Sequence, residues 1–206
     1  LLDGTTELSG NYGVPLSGAE PSSDRWTILL GVASTIRPGE YTLRVHAAPG
    51  DVVAERMVAV TPREFVREDI RLSREITALR REEREKRRQE ALEMIALTNR
   101  FDGAARFWSE RFEPPLNSDR RTSRFGDRRR FLYADGQEAH SIHNGVDLAA
   151  PTGTPIRAPG AGKVAFAGER IVTGKSVVLE HYPGVYGLFY HLEEIDVEVG
   201  QRVESG

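Results

Sequence analysis

Two histidines and an aspartate lie close together in the segment HSIHNGVDLAAPTGTP, which covers residues 140–155. His143 and Asp147 form a His-x-x-x-Asp pair, and because the chain has no cysteine, imidazole and carboxylate are the side chains left to bind a transition metal. Four residues of straight strand span roughly 13 Å, which is too far for two ligands of one ion. We therefore expect Asn144 and Gly145, which both tolerate positive φ, to bend the chain so that the two side chains converge.

A short motif of this kind also occurs by chance, and an aspartate that accepts a hydrogen bond from a histidine in a turn would explain it equally well. Further blocks decide between the two readings. Residues 143–164 read HNGVDLAAPTGTPIRAPGAGKV, and VVLEH, LFYHL and VEVGQRVESG follow in turn. In order and spacing these blocks resemble the lysostaphin-like (LytM-type) zinc endopeptidases, and SRFGDRR resembles the approach to the first motif of that family.

The resemblance covers about residues 115–206 and implies an all-β peptidase domain, incomplete at its C-terminal end. It implies a zinc-dependent endopeptidase that hydrolyses peptide cross-bridges of bacterial peptidoglycan, with a zinc-bound water as the nucleophile. His143 and Asp147 match two zinc ligands, and His191 matches a catalytic histidine beside the water and the scissile carbonyl. The third ligand belongs to a His-x-His motif that is expected beyond Gly206, so these 206 residues are expected to be inactive by themselves.

Three other histidines have weaker claims to the site. His140 is either a substitute ligand or a residue at the rim, and His181 either packs in the interior or orients a ligand from outside the metal's own contacts. His46 falls on the polar phase of a predicted strand, so we expect it on the surface.

The elements before this segment divide into two predicted regions. Residues 1–62 are predicted to form an Ig-like β-sandwich that serves as an accessory domain, because DRWTILLGV, RPGEYTLRVHA and VVAERMVAV read as strands separated by Pro-Gly turns. Residues 63–114 are predicted to form a helical arm and a connector. The connector carries four aromatic side chains that are expected to dock, namely Phe101, Phe107, Trp108 and Phe112.

A single long helix is predicted over residues 74–98. Ser73 is a plausible N-cap, and an apolar stripe begins at Ile76 and resumes at Leu92. Between the two stretches lies RREEREKRRQE, in which Glu82 and Lys86, and likewise Glu83 and Arg87, stand four residues apart. Mixed charges of this kind are typical of a helix face in solvent and disfavour a nucleic-acid surface.

Composition excludes several partners. The net charge is −3, which gives no general attraction to nucleic acid or to an anionic membrane. GERIVTGKS resembles a phosphate-binding loop, but five residues separate its glycines where four are required and a strand follows, so no nucleotide is expected. The arginine-rich residues 120–130 either contact an anionic polymer or are simply hydrated.

The expected partners are therefore peptidoglycan peptides, with an envelope protein as a possible partner of the N-terminal domain or the helical arm. The expected location is the periplasm or the outside of a bacterial envelope, with a signal or membrane anchor possible upstream of residue 1.

Two alternatives stay open. The first is a metal-free relative that binds the cell wall or activates a hydrolase. The second is a lipoyl- or biotinyl-type carrier domain. The segments RAPGAGKV and VGQRVESG resemble the hairpins of such a domain, although neither Lys163 nor Lys175 stands at the position of its modified lysine.

Overall fold

The computed structural model describes residues 1–11, 13–15, 26–82, 84–100, 102–107, 111–118 and 120–206. This part of the chain is mainly β, as predicted. Its strands are β1 (Leu2–Asp3), β2 (Thr6–Glu7), β3 (Val14–Pro15), β4 (Trp26–Thr27), β5 (Gly39–Ala48), β6 (Asp51–Val60), β7 (Arg67–Arg71), β8 (Arg121–Ser123), β9 (Arg128–Leu132), β10 (Glu138–Ile142), β11 (Asp147–Leu148), β12 (Gly162–Arg170), β13 (Gly174–Tyr182), β14 (Val185–Leu192) and β15 (Arg202–Val203). Its helices are α1 (Arg74–Glu82) and α2 (Arg84–Thr98).

The N-terminal region is built around the β5–β6 hairpin. Pro49 and Gly50 form its two-residue turn, where Gly50 has φ 85°, a value that glycine adopts without strain. Strands β1 and β2 extend the hairpin into a sheet of order β2-β1-β5-β6, and β3 pairs with β4 separately. Tyr41 is buried and its hydroxyl donates a hydrogen bond to the Arg37 carbonyl at 2.6 Å. The Ig-like sandwich stays a prediction.

Strand β7 was not predicted, because its five residues include four charged ones and lack a clear apolar alternation. It pairs in parallel with β9, giving a sheet of order β10-β9-β7. Asp69 on β7 forms an ion pair with Arg130 on β9. Long-range pairing thus makes a strand of a segment whose own composition does not favour one.

Helix α1 packs against the β9–β10 hairpin. The Ser73 hydroxyl accepts a hydrogen bond from the Ile76 backbone at 3.2 Å, as expected of an N-cap. Thr77 is buried and accepts a hydrogen bond from the Ala134 backbone at 3.1 Å, and the Arg80 guanidinium lies 4.2 Å from the Phe131 ring centroid. The helix is therefore docked on the sheet.

Helix α2 has no buried residue, which agrees with a helix exposed to solvent. Glu83, between α1 and α2, and the Glu82 side chain lie outside the described residues, so the single long helix and its two charge pairs stay predictions. In the part of the chain that the structure covers, no helix is long and apolar enough to cross a membrane.

The C-terminal sheet has the order β14-β13-β12-β15. Its buried core consists of Val164, Val177 and Leu179. The short apolar segments TPIRAP and IDVEVG, which lie between turn residues, predict two further strands, but neither is a strand in the structure. Prolines bracket the first of them, and the second contributes Ile195 and Val197 to the core without joining a ladder.

The connector contacts this sheet. The Phe107 backbone N–H donates a hydrogen bond to the His181 carbonyl at 3.1 Å, and the Phe112 ring meets the His181 ring edge-on with centroids 5.0 Å apart. Phe101 and Trp108 lie outside the described residues.

Candidate metal centre

His143 and Asp147 meet between two small sheets. The His143 Nε2 atom lies 3.0 Å from the Asp147 Oδ1 atom. The chain bends at Gly145 as expected, although neither Asn144 nor Gly145 has a positive φ. The chain turns here because β10 belongs to a ladder with β9 and β11 to a ladder with β8, so tertiary pairing produces the convergence.

The other ring nitrogen of His143 fixes its tautomer. Nδ1 lies 3.1 Å from the Arg124 carbonyl oxygen and 3.1 Å from the Ser123 hydroxyl. A carbonyl only accepts, so Nδ1 carries a proton, and Nε2 is the ring nitrogen that faces the Asp147 carboxylate. A lone pair on His143 Nε2 and one on Asp147 Oδ1 would repel each other at 3.0 Å unless a cation lies against both atoms. That cation is either a second proton on the ring or a metal ion. The donor set therefore fits a shared zinc ion.

The turn before β9 supports His143. The Arg124 backbone N–H donates to Asp127 Oδ2 at 2.8 Å, and the Ser123 hydroxyl donates to the same oxygen at 3.1 Å. The hydrogen bond from the Arg124 backbone is the largest cause that lowers the pKa of Asp127 below its usual range, with Ser123 and nearby positive charge adding to it. The Asp127 carbonyl also accepts a hydrogen bond from the His143 backbone at 2.9 Å. An ionised Asp127 thus holds the turn that orients the imidazole.

Arg129 holds the carboxylate. Its Nη2 atom donates to Asp147 Oδ2 at 3.0 Å and to the Ser123 hydroxyl at 2.7 Å. Its Nε atom lies 3.9 Å from Glu68 on β7. Sequence reasoning missed Arg129 because it stands in a run of arginines, and only the register of β9 decides which of them faces the pair.

The neighbouring arginines point elsewhere. Arg128 donates to the backbone carbonyl of Ser34 at 2.6 Å, and Arg130 pairs with Asp69. Three members of the arginine-rich segment therefore have partners within the chain, which accounts for them without an anionic polymer.

His191 lies at the end of β14 and is exposed. Its φ is 58°, and among the described residues it is the one non-glycine residue with a positive φ. Its backbone N–H donates to the Thr173 carbonyl at 2.9 Å. Within the described ranges, no hydrogen bond or ion pair joins it to His143 or Asp147, and no group of three potential metal ligands occurs.

The remaining candidate histidines lie apart from the pair. His140 is exposed on β10 opposite Arg130, and its charge is a minor cause of the lowered pKa of Asp69, after the hydrogen bond from Arg130. His181 is buried and its Nδ1–H donates to the Ala161 carbonyl at 2.8 Å. Gly187 lies so close that an added Cβ would stand 2.7 Å from His181 Nε2. These contacts favour the structural interpretation of His181.

The burial of His181 makes stability depend on pH. Burial lowers the pKa of His181, and the hydrogen bond to Ala161 only partly opposes this. As the pH falls through about 6.5, the unfolded chain takes up a proton at this residue before the folded chain does, so the free energy of unfolding decreases. We expect His181→Gln to be less stable than the parent by about 2 kcal/mol near neutral pH.

The same variant should lose less stability than the parent between about pH 7 and about pH 5. Urea denaturation at both pH values measures this, with His46→Gln, at an exposed position, as the control. Equal losses in the parent and in His181→Gln would contradict the assignment.

Residues 141–206 match the model of Peptidase family M23. A 51-residue stretch is 43% identical to the DD-carboxypeptidase/endopeptidase Mpg of Neisseria meningitidis and covers 25% of this chain and 12% of that protein. A 64-residue stretch is 38% identical to the peptidoglycan DD-endopeptidase ShyB of Vibrio cholerae and covers 31% of this chain and 15% of that one. The matched stretches thus span about an eighth to a seventh of these relatives.

A solved structure extends the likeness to the rest of the chain. The crystal structure of a Pseudomonas aeruginosa protein named as a peptidase M23 aligns with this chain with a TM-score of 0.65 and 29% identity. The alignment covers 95% of this chain and 68% of the other. The likeness therefore includes the N-terminal region and helices as well as the C-terminal sheet.

Proposed function

We propose, from the match of residues 141–206 to Peptidase family M23, that the protein is a zinc-dependent endopeptidase acting on peptide cross-bridges of bacterial peptidoglycan. The observation that carries the proposal is the approach of His143 Nε2 to Asp147 Oδ1 at 3.0 Å, with the Nδ1 proton held by a carbonyl. The relatives named as peptidoglycan endopeptidases support the choice of substrate.

The proposed roles follow from the side chains. His143 and Asp147 hold zinc, which when bound supplies a Lewis acid that polarises the scissile carbonyl and lowers the pKa of a water molecule. Arg129 fixes the Oδ2 atom of Asp147 so that the Oδ1 atom stays directed at His143, the other residue that would hold the metal. His191, which is exposed near the end of β14, donates a hydrogen bond to the reacting groups.

The proposed location is the bacterial envelope, where peptidoglycan lies. Relatives are named as a lipoprotein of Escherichia coli and as a cell division protein of Caulobacter vibrioides. A peptidase acting on the cell wall must reach that compartment, and we propose peptidoglycan peptides as its partner there.

The test combines metal binding with hydrolysis. Cross-linked muropeptides are incubated with the 206 residues and, in parallel, with a chain in which a family-type His-x-His motif follows Gly206. We expect the second chain to bind one zinc ion and to release un-cross-linked peptides, and a chelator to stop the reaction. A second chain that folds but neither binds zinc nor cleaves would refute the proposal and favour a metal-free binding module.

Arg129→Met should weaken zinc binding without removing a ligand. The change leaves Asp147 Oδ2 without its partner, and loss of such an orienting contact typically costs 10- to 100-fold in metal affinity, so we expect a loss of about 30-fold. Arg130→Met is the matched control, because Arg130 pairs with Asp69 and does not contact Asp147. Calorimetric zinc titration of both variants measures the difference, and equal affinities would count against a role for Arg129.

A further inference from the structure

Helix α2 holds the turn that joins β12 to β13. The Ile171 backbone N–H lies 3.1 Å from both carboxylate oxygens of Glu90. Arg170 donates to the Glu90 backbone carbonyl at 3.3 Å, and its Nε atom lies 3.9 Å from the Glu90 carboxylate. The exposed fractions of the two side chains are only 24% for Glu90 and 13% for Arg170. Water therefore competes less for these contacts than for an ion pair on the open surface.

The far side of the same turn is anchored in the sheet. Arg170 Nη1 lies 3.4 Å from the Thr173 hydroxyl, which is 2.9 Å from the Ser176 hydroxyl. Ser176 is completely buried and also donates to the Gly174 carbonyl at 2.8 Å. The turn is thus fixed from β13 at one end and from α2 at the other.

The β12–β13 turn also restrains the backbone of His191. The Thr173 carbonyl accepts the hydrogen bond from the His191 backbone N–H at 2.9 Å. At φ 58° His191 is in the left-handed region, which costs a residue with a side chain roughly 1–2 kcal/mol. Such a conformation persists only when the surroundings impose it. The hydrogen bond to the Thr173 carbonyl therefore restrains the backbone conformation from which the imidazole projects.

We propose that Glu90 and Arg170 are positioning residues that orient His191 through the Thr173 carbonyl. Helix α2 then contributes to catalysis, because loss of the contacts between Glu90 and the turn lets the turn move and releases His191 from its restrained conformation. The catalytic meaning of this restraint rests on the proposed function, whereas the restraint itself is a property of the folded chain.

The first experiment measures the restraint of His191 directly and does not depend on peptidase activity. Amide hydrogen exchange and ¹H–¹³C spectra of histidine-labelled protein are recorded for the parent, Glu90→Ala and Arg170→Lys. The chain has five histidines, so each ring signal can be assigned. We expect the protection of the His191 amide to fall about tenfold in Glu90→Ala, because a local opening becomes easier, while the signal of the buried His181 stays in place.

Glu93→Ala is the matched control, because Glu93 is one turn further along α2 and its carboxylate accepts a hydrogen bond from Gln89 on the same helix at 3.0 Å. Urea denaturation checks that each variant is folded. Unchanged exchange and ring signals of His191 in folded Glu90→Ala and Arg170→Lys would overturn the proposal.

The second experiment uses the chain in which a His-x-His motif follows Gly206. We expect Glu90→Ala to lower kcat about tenfold with KM unchanged, since the substrate still binds while a group needed in the transition state is misplaced. Glu90→Asp should recover part of the loss. An unchanged or increased kcat overturns the positioning role. If the parent chain has no peptidase activity, the proposed function is refuted. The restraint of His191 is tested independently, because the hydrogen-exchange experiment does not require activity.

Discussion

Replacing His143 with alanine is expected to abolish zinc binding and to reduce cross-bridge hydrolysis by on the order of a thousandfold or more. The variant removes the only imidazole that lies against Asp147 among the described residues, at 3.0 Å. A catalytic metal contributes several kcal/mol of transition-state stabilisation, and each 1.36 kcal/mol is about a tenfold change in rate. Zinc content after dialysis and the rate of muropeptide cleavage by the chain with the downstream motif measure both effects.

His140→Ala is the matched control for this variant. His140 is three residues earlier, is exposed, and lies beside Asp69 and Arg130 rather than beside Asp147. We expect its zinc content and rate to equal those of the parent. Full zinc occupancy in His143→Ala, or a loss in His140→Ala as large as in His143→Ala, would show that the metal is held elsewhere.

Gly126→Ala is expected to destabilise the fold by about 3 kcal/mol. Gly126 has φ 90°, which a residue with a Cβ adopts only with strain of roughly 1–2 kcal/mol. The added Cβ would also stand 2.1 Å from the Phe65 ring, and such overpacking costs about 1–3 kcal/mol. The Phe65 ring cannot easily yield, because the Arg128 guanidinium lies 4.5 Å from its centroid. Urea denaturation measures the loss.

Gly136→Ala separates the two causes. Gly136 has φ 82° with nothing within 4 Å of an added Cβ, so only the backbone strain applies and we expect a loss of about 1 kcal/mol. The double variant Phe65→Ala/Gly126→Ala should cost less than the sum of its single variants, because the clash is gone. Equal losses in Gly126→Ala and Gly136→Ala would show that Phe65 moves aside freely.

Gly126 also matters for the metal centre. Its backbone N–H donates to the His143 carbonyl at 2.7 Å, within the turn that holds the imidazole. We therefore expect Gly126→Ala to weaken zinc binding as well, whereas Gly136→Ala leaves it unchanged.

Much of the β structure follows from local sequence. The Pro49–Gly50 turn and the flanking alternation predict the β5–β6 hairpin, and the strands from Gly162 to Leu192 are likewise visible as apolar runs between turn residues. Strand β7 and its parallel pairing with β9 are not visible, because the pairing joins charged segments that are far apart in the chain.

The sequence by itself determined the chemical types at the site. The absence of cysteine limits the ligands to imidazole and carboxylate, and the order of the motif blocks points to His143, Asp147 and His191. Residue types and their order are local properties, and the match of residues 141–206 to Peptidase family M23 confirms the resemblance that was drawn from them.

The tertiary structure decided how these groups are held. The register of β9 selects Arg129, and not its neighbours, as the partner of Asp147. The docking of α2 places Glu90 against the turn that restrains His191. Each of these contacts joins residues from different elements, so its existence depends on strand pairing and packing across the whole fold, which no local pattern of side chains specifies.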